Sequence, residues 1–339
     1  GREIELAPTG LPGRITSRFA DDVQSTDGDP LEIIARPITF AVTTAAGREL
    51  LEPEAVEVTE TLEDGVVWRA SARAGGLRFA IDGSLDFDCT LEYRVAVSVD
   101  NGAGPGRDGA GPVDVGDISL EILVPNDVAR LTTGLGCKGG AIPDELDWSW
   151  SVEKNQDAVW IGTVNGGLQV TLRDEHYSRP LNTNFYHLKP LVMPVSWAND
   201  GAGGISMRRT EDGYRLSCTS GARTVQPGET LRFDFRVAVT PFKPIDTERH
   251  FRTRYYHAHE PLEKVVEAGG NTLNIHHAST INPYINYPFL SADILGRYIA
   301  DAHDRDLKVK LYYTVRELTT RAPELFMLKS LDGEILVHG

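Results

Sequence analysis

From Leu85 to Val99 every odd-numbered residue is apolar: Leu85, Phe87, Cys89, Leu91, Tyr93, Val95, Val97 and Val99. Between them stand Asp86, Asp88, Thr90, Glu92, Arg94, Ala96 and Ser98. Side chains on an extended chain point to alternate faces, so a period of two gives one dry face and one wet face. An antiparallel sheet packed on a second layer meets that demand, and we expect one strand over 85–99. Leu231, Phe233, Phe235, Val237 and Val239 repeat the pattern. Further strands are expected at 33–44, 66–72, 77–81, 118–124, 158–163, 168–172 and 214–218. Asp27-Gly28-Asp29-Pro30, Asp64-Gly65, Asp82-Gly83, Asp212-Gly213 and Gln226-Pro227-Gly228 mark turns between them. No helix is expected before residue 240. The fold class is mainly β with α/β: a large antiparallel β-sandwich over 1–240, followed by a segment of different period.

The charge is as lopsided as the pattern. The 339 residues carry 34 basic and 49 acidic side chains, a net charge of −15. From Thr247 onward 12 acidic residues face 11 basic ones, so nearly all of the excess lies in the sandwich. Phosphate backbones and anionic lipid surfaces attract the opposite sign, so neither nucleic acid nor membrane is an expected partner. No apolar run approaches the ~18 residues of a membrane span, and no signal peptide is visible. The chain begins at Gly1 and stops in mid-pattern, from which we expect a fragment; cytoplasmic, periplasmic and secreted locations all stay open. The three cysteines, Cys89, Cys137 and Cys218, show neither disulfide nor zinc spacing, and Cys89 and Cys218 read as small buried hydrophobes in strands. The glycine-rich 101–111 loop has no following apolar helix to hold a phosphate, and no cofactor is expected.

Pro241-Phe-Lys-Pro244 opens a stiff linker over 241–250. Beyond it the pattern becomes strand (251–257), helix (261–268), strand (272–276), helix from Ser291, strand (308–314) and helical turn (323–330). Ser291 is expected to cap a helix whose Ile294, Leu295, Tyr298, Ile299 and Ala302 share one face. This βαβαβα order opens a (β/α)8 TIM-type barrel, truncated here, whose working groups belong at the C-terminal strand ends.

Seven of the nine histidines follow residue 249. His257, His276 and His277 fall at strand ends, with Asn282, Tyr284 and Asn286 in the loop after the second strand. Tyr313, Arg316 and Glu317 follow the third; of Tyr312 and Tyr313, which point to opposite sides, at most one enters the barrel. Amide, hydroxyl and imidazole groups hydrogen-bond polyols, and flat rings match the apolar face of a pyranose. We therefore expect these nine residues to bind substrate, with the loop's asparagines equally able to satisfy their own backbone. His257-Ala-His259 also permits a metal-dependent hydrolase. Glu317 has a strand-end address, but glycoside hydrolysis needs two carboxyl groups facing one bond, and Glu317 suits a rim ion pair with Arg316, Arg321 or Lys310. Catalytic residues are thus unknown. In the sandwich, Trp148 and Trp150 at i and i+2 share a face, as a sugar-stacking platform of a non-catalytic binding module or as core. The polar 173–187 loop faces a partner domain or a site.

Four motifs carry a resemblance: Phe251-Arg-Thr-Arg-Tyr-Tyr-His257, Asn271-Thr-Leu-Asn-Ile-His-His277, Asn282-Pro-Tyr-Ile-Asn-Tyr-Pro288 and Lys308-Val-Lys-Leu-Tyr-Tyr-Thr-Val-Arg-Glu-Leu318. The chain resembles a bacterial family of uncharacterised glycoside hydrolases related to glycoside hydrolase family 123, the β-N-acetylgalactosaminidases. The resemblance implies an N-terminal sandwich before a catalytic barrel, and a parent enzyme that cleaves glycosidic bonds of a complex polysaccharide. It also implies an adjacent Asp-Glu pair on a later strand for substrate-assisted hydrolysis. Asp174-Glu175 lies in the sandwich and does not match that position. The expected partners are a carbohydrate substrate and the remainder of the barrel, on another segment or chain.

Overall fold

The alternating stretches pair into antiparallel sheets. In the computed structural model, which describes residues 1–100, 111–151, 158–177, 192–314 and 317–331, the chain divides into Gly1–Ile245 and Asp246–Gly339. The first unit has a six-stranded sheet, in order Glu145–Ser149, Gly204–Thr210, Gly213–Thr219, Asp117–Val124, Thr39–Thr44, Gly47–Leu50. Its larger sheet runs Cys137–Ala141, Leu131–Gly134, Ala158–Thr163, Gly166–Arg173, Asp234–Thr240, Thr90–Val99, Leu77–Asp86, Gly65–Ala74, Glu52–Thr61, with Leu231–Arg232 also on Thr90–Val99. Phe40 and Ile118 from one sheet share a single apolar core with Phe79, Tyr93 and Phe235 from the other. Two antiparallel sheets around one core form the sandwich arrangement. Among the described residues no helix is long and apolar enough to cross a membrane.

The stretch 85–99 is two strands. Leu77–Asp86 turns into Thr90–Val99 as a hairpin, with Leu85 opposite Leu91. The Cys89 N–H donates to the Asp86 carbonyl at 2.8 Å and the Thr90 N–H to Asp88 Oδ1 at 2.9 Å. Cys89 is left-handed at φ 61, the geometry that closes a three-residue hairpin loop. Such a loop pairs odd residues with odd, so the apolar alternation passes through the turn unbroken. Phe87, apolar by pattern, sits at the tip and is 80% exposed. Cys89 accordingly lies in a turn, half-buried, whereas Cys218 is a buried strand residue.

Asp82-Gly83 is no turn either; it lies inside Leu77–Asp86. A Cβ on Gly83 would stand 2.3 Å from Trp68 Cε2, so glycine is there to admit the indole. Asp212 and Gly213 do mark a hairpin, with Thr210 opposite Gly213. A short helix, Val195–Ala198, interrupts the β-structure and carries the fully buried Trp197. Trp148 and Trp150 share a face as spaced, but both are buried, with rings edge to face at 4.9 Å. That removes the exposed sugar platform: the inner face of an outer strand needs bulky apolar cover.

In the second unit, residues 251–257 are not one strand. Thr247–Arg252 is a helix, begun by Asp246 Oδ1 accepting from the Arg249 N–H at 2.9 Å and braced by Glu248 and Arg252 at 3.2 Å. Tyr255–Tyr256, Thr272–Ile275 and Lys308–Leu311 then form a parallel three-stranded sheet. Leu262–Glu267 and Ala292–His303 are the crossover helices, and Leu325–Ser330 follows the third strand. Leu295 and Ala302 face Leu273 and Ile275 in a small core, with Tyr298 and Ile299 beside it; Ile294 stays half-exposed. The Ser291 side chain makes no cap, donating instead to the Pro288 carbonyl at 3.3 Å.

Candidate functional site

Parallel register determines which strand-end groups meet. Tyr256 lies opposite Leu273, so the next residue, His257, lies opposite Asn274; Ile275 lies opposite Leu311, so His276 lies opposite Tyr312. Leu273, Ile275, Val309 and Leu311 belong to the core with the helices. Period two therefore sends Asn274, His276, Lys310 and Tyr312 to the other side of the sheet.

The side chains follow this arithmetic. Buried Asn274 donates from Nδ2 to His257 Nδ1 at 3.0 Å, which leaves the His257 proton on Nε2 and aims a donor outward. The His276 ring lies flat on Tyr312, centroids 4.0 Å apart and planes at 15°, with His257 at 5.3 Å and His277 at 4.9 Å. Desolvation by these rings, then repulsion from His277 and His257, hold the His276 imidazole below the ordinary histidine value. His276 is accordingly neutral at pH 7, with one ring nitrogen to donate and one to accept. His277 Nδ1 and Asn274 Oδ1 are closed off from solvent without a hydrogen-bond partner among the described residues.

The loop residues divide differently from the expectation. Asn286 donates from Nδ2 to the carbonyls of Thr314 and Glu317, the latter at 2.6 Å, while its Oδ1 accepts from the Thr314 N–H at 2.8 Å. Its amide thus ties the loop after the second strand to the loop after the third, leaving little capacity for a sugar. Asn282 is 1% exposed, with its Oδ1 unpartnered among the described residues. Tyr284 is half-buried, and Tyr313 is 51% exposed, away from the ring stack. Glu317 is exposed and forms no ion pair with a described residue. Arg316 lies outside the described residues, as do residues 101–110 of the glycine-rich loop and 178–187 of the polar loop.

Sequence reasoning missed Asn274 and Tyr312. The signals were a lone polar residue interrupting an apolar strand and the strand parity that selects Tyr312 over Tyr313. His257 and His259 do not converge: His259 Nδ1 meets Thr280 Oγ1 at 3.2 Å and its ring meets Tyr298 edge-on. Among the described residues no three His, Cys, Asp or Glu side chains gather as metal ligands. A second adjacent acidic pair, Asp144-Glu145, also lies in the first unit, where both carboxylates serve Arg209 and Arg208.

The array can bind and orient. It offers a flat aromatic face, an outward Nε2 donor and a neutral imidazole, with no pair of carboxylates among its described members.

Comparison with known proteins adds two matches. Residues 1–241 match the family model described as glycoside hydrolase 123, third domain, and residues 246–339 match the one described as glycoside hydrolase 123, TIM-barrel domain. No curated protein matches the chain. Among solved structures the chain is similar to a galactose mutarotase related enzyme from Lactobacillus acidophilus, at 9% identity and TM-score 0.38, over 71% of this chain and 95% of that one. It is likewise similar to a GalM/aldose epimerase homologue from C. elegans, at 7% identity and TM-score 0.38, over 71% of this chain and 96% of that one.

Proposed function

Because the chain belongs to the glycoside hydrolase 123 family, we propose that its second unit opens a (β/α)8 barrel and supplies one wall of a glycosidase site. The observation that carries this reading is the His257, His276, His277 and Tyr312 array, at the C-terminal ends of parallel strands in the segment matched by the TIM-barrel model. Barrel enzymes place their working groups at those strand ends. A sugar ring stacks on the Tyr312 and His276 faces, and His257 Nε2 donates to a hydroxyl. Asn274 positions His257 and Asn286 positions the two loops; neither needs to touch the substrate. The two carboxyl groups that cleave the bond belong to barrel strands after the third, on a further segment or chain. The substrate is a complex polysaccharide.

The test is an assay of the full-length gene product on aryl glycosides, N-acetyl-β-galactosaminide included. Turnover of at least one is expected, and His276→Ala should lower kcat/KM by roughly tenfold, about 1.4 kcal/mol of transition-state binding. Inactivity across the panel, or full activity in His276→Ala, overturns the reading.

A further inference from the structure

The first unit has a site of its own, on the solvent face of the larger sheet. A groove of 1010 Å³ lies there, with Asp82, Glu92, Arg94, Arg173, Arg232 and Asp234 among its walls. That volume stands at the upper end of the roughly 300–1,000 Å³ of small-molecule sites. Cross-strand register places Asp82 opposite Arg94 and Asp234 opposite Arg173, while the Asp82 carboxylate itself pairs with Arg69 at 3.1 Å. Glu92 joins the row by pairing with Arg173 at 3.5 Å and with Arg236.

Part of this polar capacity is unspent. Arg173 Nε is shut off from solvent with no hydrogen-bond partner among the described residues. Arg94 and Arg232 form no ion pair with a described residue. Asp234 accepts from the Val95 N–H at 2.8 Å on one oxygen, and burial pushes its carboxyl up to about 6, so at pH 7 it is chiefly a carboxylate that accepts.

We propose that this groove binds a neutral oligosaccharide, independently of the strand-end array of the second unit. Guanidinium and carboxylate groups in alternation present paired donors and paired acceptors, the complement of vicinal hydroxyls. A polyanion would meet Asp82, Glu92 and Asp234 beside every arginine it approached. An apolar ligand would strip charged groups of water without replacing their hydrogen bonds. An extended peptide adds to a sheet edge, whereas here the strands on either side are already paired and only side chains are on offer. A ligand dense in hydroxyl groups fits what remains.

The experiment uses the intact protein on an array of neutral oligosaccharides and sulfated heparin fragments, followed by calorimetric titration with the best-retained glycan. At least one neutral oligosaccharide should bind, and Arg94→Ala combined with Arg232→Ala should weaken it at least tenfold. Asp82→Asn keeps the shape of the wall and should weaken it by a smaller factor, which guards against misfolding of the double variant. His303→Ala, at the end of Ala292–His303 in the second unit, should leave the affinity unchanged. Absence of any neutral ligand, preference for the sulfated fragments, or unchanged affinity in the groove variants overturns the proposal. Loss of aryl-glycosidase activity with groove binding intact would sink only the catalytic reading, and the reverse result only this one.

Discussion

Aromatic rings meet different fates in the two units. In the first, Phe40, Phe79, Trp68, Trp197, Phe233 and Phe235 are fully buried, and Phe40 alone contacts four other aromatic rings. In the second, His257, His276, His277 and Tyr312 cluster at strand ends around the stacked His276–Tyr312 pair, with His257 exposed and the other three half-buried. Rings enclosed on every side contribute to stability through burial and packing. Rings stacked at an open edge contribute less to stability and keep a face for a ligand. Composition cannot separate these roles; strand parity and register can.

The largest effect that would break this contrast is at Trp68. Its Nε1 donates to the Gly10 carbonyl at 2.8 Å, and its ring lies on Gly83. Trp68→Ala should cost about 3–5 kcal/mol in urea unfolding of the first unit. Gly83→Ala, with a methyl 2.3 Å from the indole, should cost about 1–3 kcal/mol by overpacking. The two should be strongly non-additive, because removing the indole makes room for the methyl. Strict additivity would mean that Trp68 does not occupy the space glycine leaves.

A smaller effect sharpens the boundary between wall and scaffold in the second unit. Asn286→Ala removes the bonds to Thr314 and Glu317 and should destabilise that unit by about 1–2 kcal/mol. Amide hydrogen exchange at Thr314, whose N–H donates to Asn286, should speed up in the variant. Unchanged exchange, together with lost glycan binding, would return Asn286 to the substrate-contacting role expected from the sequence.

The sandwich was legible because period two is a direct imprint of one buried face, and its failures have physical causes. An odd-length loop preserves parity, so the turn at 86–89 left no break in the pattern. Glycine at 83 answers a tertiary contact, so Asp82-Gly83 imitates a turn. For the hairpin, Cys89→Gly and Cys89→Ala form a discriminating pair. At φ 61 glycine should exceed alanine by about 1 kcal/mol. In a continuous strand the order would be reversed, by roughly 0.5–1 kcal/mol. The strand-end histidines were legible from their addresses, and the arrangement around them was only partly so. Asn274 and Tyr312 depend on parallel register, which a single sequence does not state. Asn286 and Asn282 have the same composition signature whether they bind sugar or their own loop.

The smallest expected effect tests the open stack itself. His276 titrates below the ordinary histidine value, first through desolvation and then through repulsion from His277 and His257. For a histidine whose folded value is depressed, the unfolded chain binds more protons near pH 6, so stability rises with pH there. The contribution is complete above the ordinary value of roughly 6.5 and is lost as pH falls through the lower folded one. Since the ring is half-exposed, the change in stability should be slight, and the resonance is the better readout. In an NMR titration the His276 Cε1 proton should show a midpoint below the roughly 6.5 of an ordinary histidine. Tyr312→Ala, which opens the stacked face to water, should move the midpoint upward without unfolding the unit. A His276 midpoint at the ordinary histidine value, unmoved by Tyr312→Ala, would mean that the rings do not stack in solution, and the wall proposed for the glycosidase site would lose its flat face.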